Sequence, residues 1–219
     1  MTVLSGPAAD FLLAGESALH LLGDVGVVQR WSGPSALQGM SVGALAAHLG
    51  QQVLMVHAAV MDGQTVSDRA PVPLLEHYGR VAWVGADLDD DANVSTRTAA
   101  ARAAVAGHDQ LVLAVTAALE DLRDALGRRA SDLPAGIAMP WWDWTLSFED
   151  FLTTRVMEIV VHSDDLAVSV DATTPLLPEP VLGPVLALLV GVALQRHGQT
   201  ALVRALTRRE RAPESIAAF

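Results

Sequence analysis

The sequence predicts an all-α protein: a four-helix bundle with one or two further helices at its C-terminal end. Three observations carry this. Alanine and leucine recur at spacings of three and four, aromatic residues make up only 5% of the chain, and β-branched residues do not alternate over long stretches. With 219 residues, 51% of them hydrophobic, the chain can bury a full core.

Asp10 to Val28 is expected as the first helix, with Phe11, Leu12, Ala18, Leu19 and Leu22 turned inward. WSGPSALQGM, residues 31–40, holds glycine and proline and reads as a loop. Ser41 is placed to cap a second helix, because Val42, Leu45, Leu49, Val53, Val56 and Val60 follow at helical spacing. That helix should run to about Met61 and stop near Gly63. A polar connection, 63–73, leads to a short helix over 74–84 and an acidic turn, DLDDD. An alanine-rich helix is expected over 95–126, with Gly107 as its weak point; Arg102, Glu120, Asp121, Arg123 and Asp124 read as its solvated face. The stretch 131–147 is a loop holding three of the five tryptophans. Ser147 can cap the fourth long helix, which should end before Asp171. After the proline-bearing link 173–180 comes an apolar helix closed by Gly198, then a short last helix with Leu202 and Leu206. The link is the one plausible boundary, dividing a bundle, 1–172, from a helical appendage, 173–219.

Composition narrows the function. A formal net charge of −11 argues against nucleic-acid binding, which needs a basic field. There is no cysteine, which removes disulfides, thiolate ligands and a cysteine nucleophile, so thiol chemistry would need a thiol from outside. Every basic side chain is arginine, which also removes Schiff-base chemistry on lysine. Alanine and arginine usage suggests a high-GC bacterial source. The N-terminus has no basic segment followed by an apolar core, and the longest apolar run, 185–194, is short of the ~20 residues of a bilayer span. A cytoplasmic location is expected, with no membrane partner; the apolar helix 181–194 is a surface through which a homodimer could form.

One stretch stands out. In RVMEIVVHSDDL, 155–166, a helix puts Arg155, Glu158, His162 and Asp165 on one stripe, while Val156, Ile159, Val160 and Leu166 supply apolar surface. Polar groups on such a helix are costly to bury without partners. Glu158 and His162, four apart, can offer two ligands to one ion, and a third must come from elsewhere. Of the six other histidines, His48 is the strongest candidate, between Leu45 and Leu49 on the second helix. His20 and His57 lack comparable context, and His77, His108 and His197 lie near turns or helix ends, where a surface role is expected. The same spacing also suits a plain surface pair of Glu158 with His162, or an ion pair of Arg155 with Glu158 or Asp165.

Two segments, GPSALQGMSVGALAAHL and FLTTRVMEIVVHSDDLA, resemble the paired signatures of the DinB-like superfamily, and within it the mycothiol-dependent maleylpyruvate isomerase N-terminal domain family. RHGQTALVRALTRRER is also similar to the ending of many actinobacterial members. The resemblance implies a DinB-like four-helix bundle holding a divalent metal, usually zinc, on His48, Glu158 and His162. Met40 stands where the family typically has an aromatic residue. The segment after the proline link is shorter than the isomerase's α+β C-terminal domain, so that enzyme's own substrate and reaction do not carry over.

By that resemblance the chain is expected to be a mycothiol-dependent metalloenzyme, a thiol S-transferase or an isomerase, acting on a small electrophilic substrate. Two histidines and one carboxylate leave coordination positions open for a thiol or water, and the set suits iron(II) as well as zinc. Arg155 is a candidate to bind a carboxylate of substrate or thiol, and Asp165 to orient a ligand imidazole. Trp141, Trp142 and Trp144 are candidate pocket walls, Trp144 being the one assigned to cofactor binding. Two rival readings remain at this level: a non-catalytic metal-binding or interaction bundle, and a metal-dependent hydrolase using activated water.

Overall fold

The structure, a computed structural model, describes residues 6–63, 65–127 and 133–219. The N-terminal residues read for a signal peptide, Gln64 in the first connection, and Ser131 and Asp132 at the start of the tryptophan loop lie partly or wholly outside these. Among the described residues there are eight α-helices: α1 (Pro7–Leu22), α2 (Val25–Arg30), α3 (Val42–Met61), α4 (Leu74–Arg80), α5 (Asp91–Ala104), α6 (His108–Leu126), α7 (Phe148–Val170) and α8 (Glu179–Thr207). The fold is all-α, as the residue spacing predicted.

Helices α1, α3, α6 and α7 form the bundle. α1 packs on α6 and α7, and α3 packs on the same two. Phe11, Leu45, Leu49, Leu119, Leu122, Phe151, Leu152 and Met157 are sealed at its centre. At ~1.5–3 kcal/mol per fully buried large apolar side chain, this interior is the main term holding the four helices together. α5 lies along α3, and α8 packs on α1, α4 and α7.

The two helices that carry the site begin as read from the sequence. Ser41 accepts from the Ala44 amide at 3.1 Å and Ser147 from the Asp150 amide at 3.0 Å, each satisfying one of the amides that a helix start leaves free. At the far end of α7, Asp171 adopts the left-handed conformation, φ 58.

The first helix departs from the expectation, and the two glycine breaks expected further on both form. The first helix is two: α1 ends at Gly23, and Asp24 caps α2 by accepting from the Gly26 amide at 2.7 Å. The alanine-rich helix is interrupted at Gly107, the weak point expected of it: Gly107 takes φ 88, where a side-chain-bearing residue would be strained, and separates α5 from α6. The tryptophan loop is pinned by a two-residue antiparallel ladder, β1 (Gly136–Ile137) with β2 (Leu146–Ser147). Gly198, read as a helix stop, does stop the apolar helix: it leaves the helical conformation at φ 78 and ψ 162, and the short last helix follows within α8.

Both α3 and α8 are long and apolar enough to cross a membrane by length and composition, although the uninterrupted run in α8 is shorter. Burial in the bundle accounts for much of α3. On α8, Leu186, Val190 and Leu194 are exposed.

Candidate metal centre

The packing of α3 against α7 brings His48 to Glu158 and His162. One ligand atom from each lies within 4.8 Å of the others, a group that could hold a metal ion. The His48 and His162 rings meet edge to face, with centroids 4.7 Å apart. His162 is held on both sides: its Nε2 is 3.1 Å from Glu158 Oε2, and its Nδ1 is 3.0 Å from Asp165 Oδ2. The spacing of the stripe is what makes this geometry, since Glu158 and Asp165 sit four before and three after His162 on one helix face.

The charges are set by these contacts. Burial works against ionisation of Glu158, but the hydrogen bond and charge of His162 overcome it and hold the carboxyl at about 2. Burial likewise works against protonation of His162, but Asp165 and Glu158 raise it to about 9. His48 is held at about 4, by burial and then by the positive charge of His162. His162 is thus held between two carboxylates, one at each ring nitrogen. The donor set fits a divalent metal: one neutral imidazole, one ionised carboxylate, and a second imidazole whose Nδ1 is anchored, leaving Nε2 facing the group.

Arg155 stands one turn before Glu158 but makes neither of the ion pairs considered for it. It is 8% exposed. Its Nη1 donates to Gln52 Oε1 at 2.6 Å, its Nε donates to Thr154 Oγ1 at 3.0 Å, and the Phe151 ring lies beneath it at 5.5 Å. Gln52 is one turn beyond His48 and donates back to the His48 carbonyl at 2.9 Å, so α3 holds ligand and arginine in one frame.

The model of the mycothiol maleylpyruvate isomerase N-terminal domain family matches residues 12–167. The chain belongs to that family. The match spans α1 to α7 almost whole and includes His48, Glu158, His162, Arg155 and Asp165. Neither a curated protein nor a solved structure matches the chain.

His77 corrects the surface role expected of it. It is 2% exposed, on α4, and its Nδ1 accepts from Trp144 Nε1 at 3.0 Å. Trp142 stacks on Trp144, with centroids 5.8 Å apart and planes at 10°, and meets the His77 ring edge-on. Trp141 is 67% exposed. His108 and His197 act as tethers, each donating through Nε2 to a main-chain carbonyl, of Leu22 and Ala217 respectively, at 2.8 Å. His20 is exposed, and His57 pairs with Asp121 on α6 at 3.0 Å.

Sequence reasoning also passed over Gln52 and Tyr78. The signal for Gln52 was present: a polar residue four after His48 on an otherwise apolar face. Tyr78 carried none.

Proposed function

We propose that this member of the mycothiol maleylpyruvate isomerase N-terminal domain family is a metalloenzyme that joins a low-molecular-weight thiol, mycothiol, to a small electrophilic substrate. The observation that carries the reading is the convergence of His48, Glu158 and His162 from two helices on one point. A divalent ion held there, zinc or iron(II) by ligand type, supplies the Lewis acidity that makes a thiol nucleophilic near neutral pH. The outcome for the substrate is transfer to sulfur, or transient addition followed by isomerisation.

The chain's own residues hold and orient. Asp165 keeps the proton of His162 on Nδ1 and leaves Nε2 free to ligate. Arg155 offers a planar fork to a carboxylate of the incoming molecules. Trp144, braced by Trp142 and His77, forms a rigid wall for the thiol. The absence of cysteine in the chain removes an internal competitor for both metal and electrophile.

The test is a thermal-shift comparison. Metal-supplemented protein should retain a divalent ion, and mycothiol should raise its melting temperature, because a ligand that binds only the folded state stabilises it. His48→Ala should lose both the ion and the shift. Metal retained without any response to mycothiol moves the assignment to a hydrolase using activated water; no metal at all leaves an interaction bundle.

A further inference from the structure

A row of polar side chains runs without a gap from the main chain of α3 to that of α7. Gln52 folds back over its own turn, so that its Nε2 donates to the His48 carbonyl at 2.9 Å. Its Oε1 accepts from Arg155 Nη1 at 2.6 Å, and Met55 Sδ lies 3.8 Å from the same nitrogen. Arg155 Nε donates to Thr154 Oγ1 at 3.0 Å, and that hydroxyl donates to the Phe151 carbonyl at 2.6 Å. Gln52, Arg155 and Thr154 are all buried. A guanidinium only donates and a carbonyl only accepts, so the Gln52 amide can sit only one way round.

The row lies one turn from the candidate ligands on both helices. Gln52 is four residues after His48 on α3, and Arg155 is three before Glu158 on α7. The other large buried side chains near it in sequence, among them Leu45, Leu49, Val53, Leu152 and Val156, are apolar. Apolar contact is non-directional and tolerates one helix sliding against another. Hydrogen bonds do not, because they weaken steeply with distance and angle. A slip of one residue moves a helix ~1.5 Å along its axis, and the ligand atoms lie within 4.8 Å of one another.

We propose that Gln52 and Arg155 form a register lock, positioning residues that fix α3 against α7 so that His48 faces Glu158 and His162. The proposal rests on reading those three residues as a metal site. It is independent of any part Arg155 takes toward a small molecule. Buried polar partners of this kind contribute one defined arrangement more than stability, since apolar side chains of similar volume hold a core as well or better.

The test sets stability against metal binding. Gln52→Leu combined with Arg155→Met fills both places with apolar side chains. Without metal, this double variant should melt no lower than the parent. It should nevertheless bind zinc about tenfold more weakly, in competition with a chromogenic chelator, as loss of orienting partners does elsewhere. Removing the arginine's charge would by itself favour a cation, so weaker binding reports geometry. Cobalt(II) should give an altered visible spectrum in the double variant and the parent's spectrum in Gln52→Glu, which keeps an acceptor facing Arg155. Gln52→Asn, one carbon too short to reach Arg155, should also weaken zinc and alter the cobalt spectrum, and it carries the test should the double variant fail to fold. The lock is overturned if these variants bind zinc as tightly as the parent with the parent's cobalt spectrum, or if Gln52→Glu does not restore that spectrum. A parent that takes up neither metal overturns the metalloenzyme reading and the lock together, whereas parent-like binding in the variants overturns the lock alone.

Discussion

His162 touches a carboxylate with each ring nitrogen, and the two contacts do different work. Glu158 lies on the side that faces His48, whereas Asp165 fixes the ring at its other nitrogen. Asp165→Ala should therefore keep the three ligands but weaken metal binding roughly 10–100-fold, as loss of such an orienting partner does elsewhere; competition with a chromogenic chelator measures it. Both contacts were legible because they are local, three and four residues along one helix. His77 was not, because its partner Trp144 is remote in sequence and nothing around it marks burial. Its environment leaves a trace in pH dependence. In the folded protein His77 titrates at about 4, below its ordinary 6.5. The unfolded chain thus binds more protons between those values, and the contribution of His77 is present above pH 6.5 and lost as pH falls toward 4. Denaturant titrations across that window should give a flatter pH–stability curve for His77→Phe than for the parent.

Among the elements, helix starts were easier to read than helix breaks. Ser41 and Ser147 announce α3 and α7 because a short side chain with an acceptor oxygen precedes an apolar period, and both caps form. Alanine to replace either serine should cost about 1 kcal/mol of stability. The break at Gly107 was marked by its glycine, but the one at Gly23 was blurred because apolar spacing continues across it, and the stop-then-start signal of Gly23 with Asp24 was outweighed by that period. Close helix contacts are invisible in the period altogether. A Cβ on Gly43 would come within 2.6 Å of the Trp31 ring, a rigid neighbour. On Gly50 it would meet a terminal methyl of Leu111 at 2.8 Å, which can rotate aside. Gly43→Ala should destabilise by about 1–3 kcal/mol and Gly50→Ala by less, read from denaturant midpoints.

At the scale of the molecule, the bundle of α1, α3, α6 and α7 follows from apolar periodicity, and its site depends on one adjacency within it. The sequence pattern alone offered two ligands on α7 and several histidines for the third. His48 led these by its place between Leu45 and Leu49, the resemblance of the two signature segments pointed to the same residue, and the packing of α3 on α7 brings the trio together. That adjacency gives the proposed metal a mechanical part. Chelation should lower the melting temperature and loosen amide protection in α3 and α7 before it does so in α5, which carries no ligand.

The grouping of His48 with Glu158 and His162 also brings together positions separated by about half of the chain. Without cysteine, no disulfide between α3 and α7 is open to this sequence, and a metal bound as proposed would close that long loop instead. Such a tie can be withdrawn. Once the site is near saturation, each tenfold fall in free metal removes about 1.4 kcal/mol of stability, so the lifetime of the folded molecule would follow the metal supply of its surroundings.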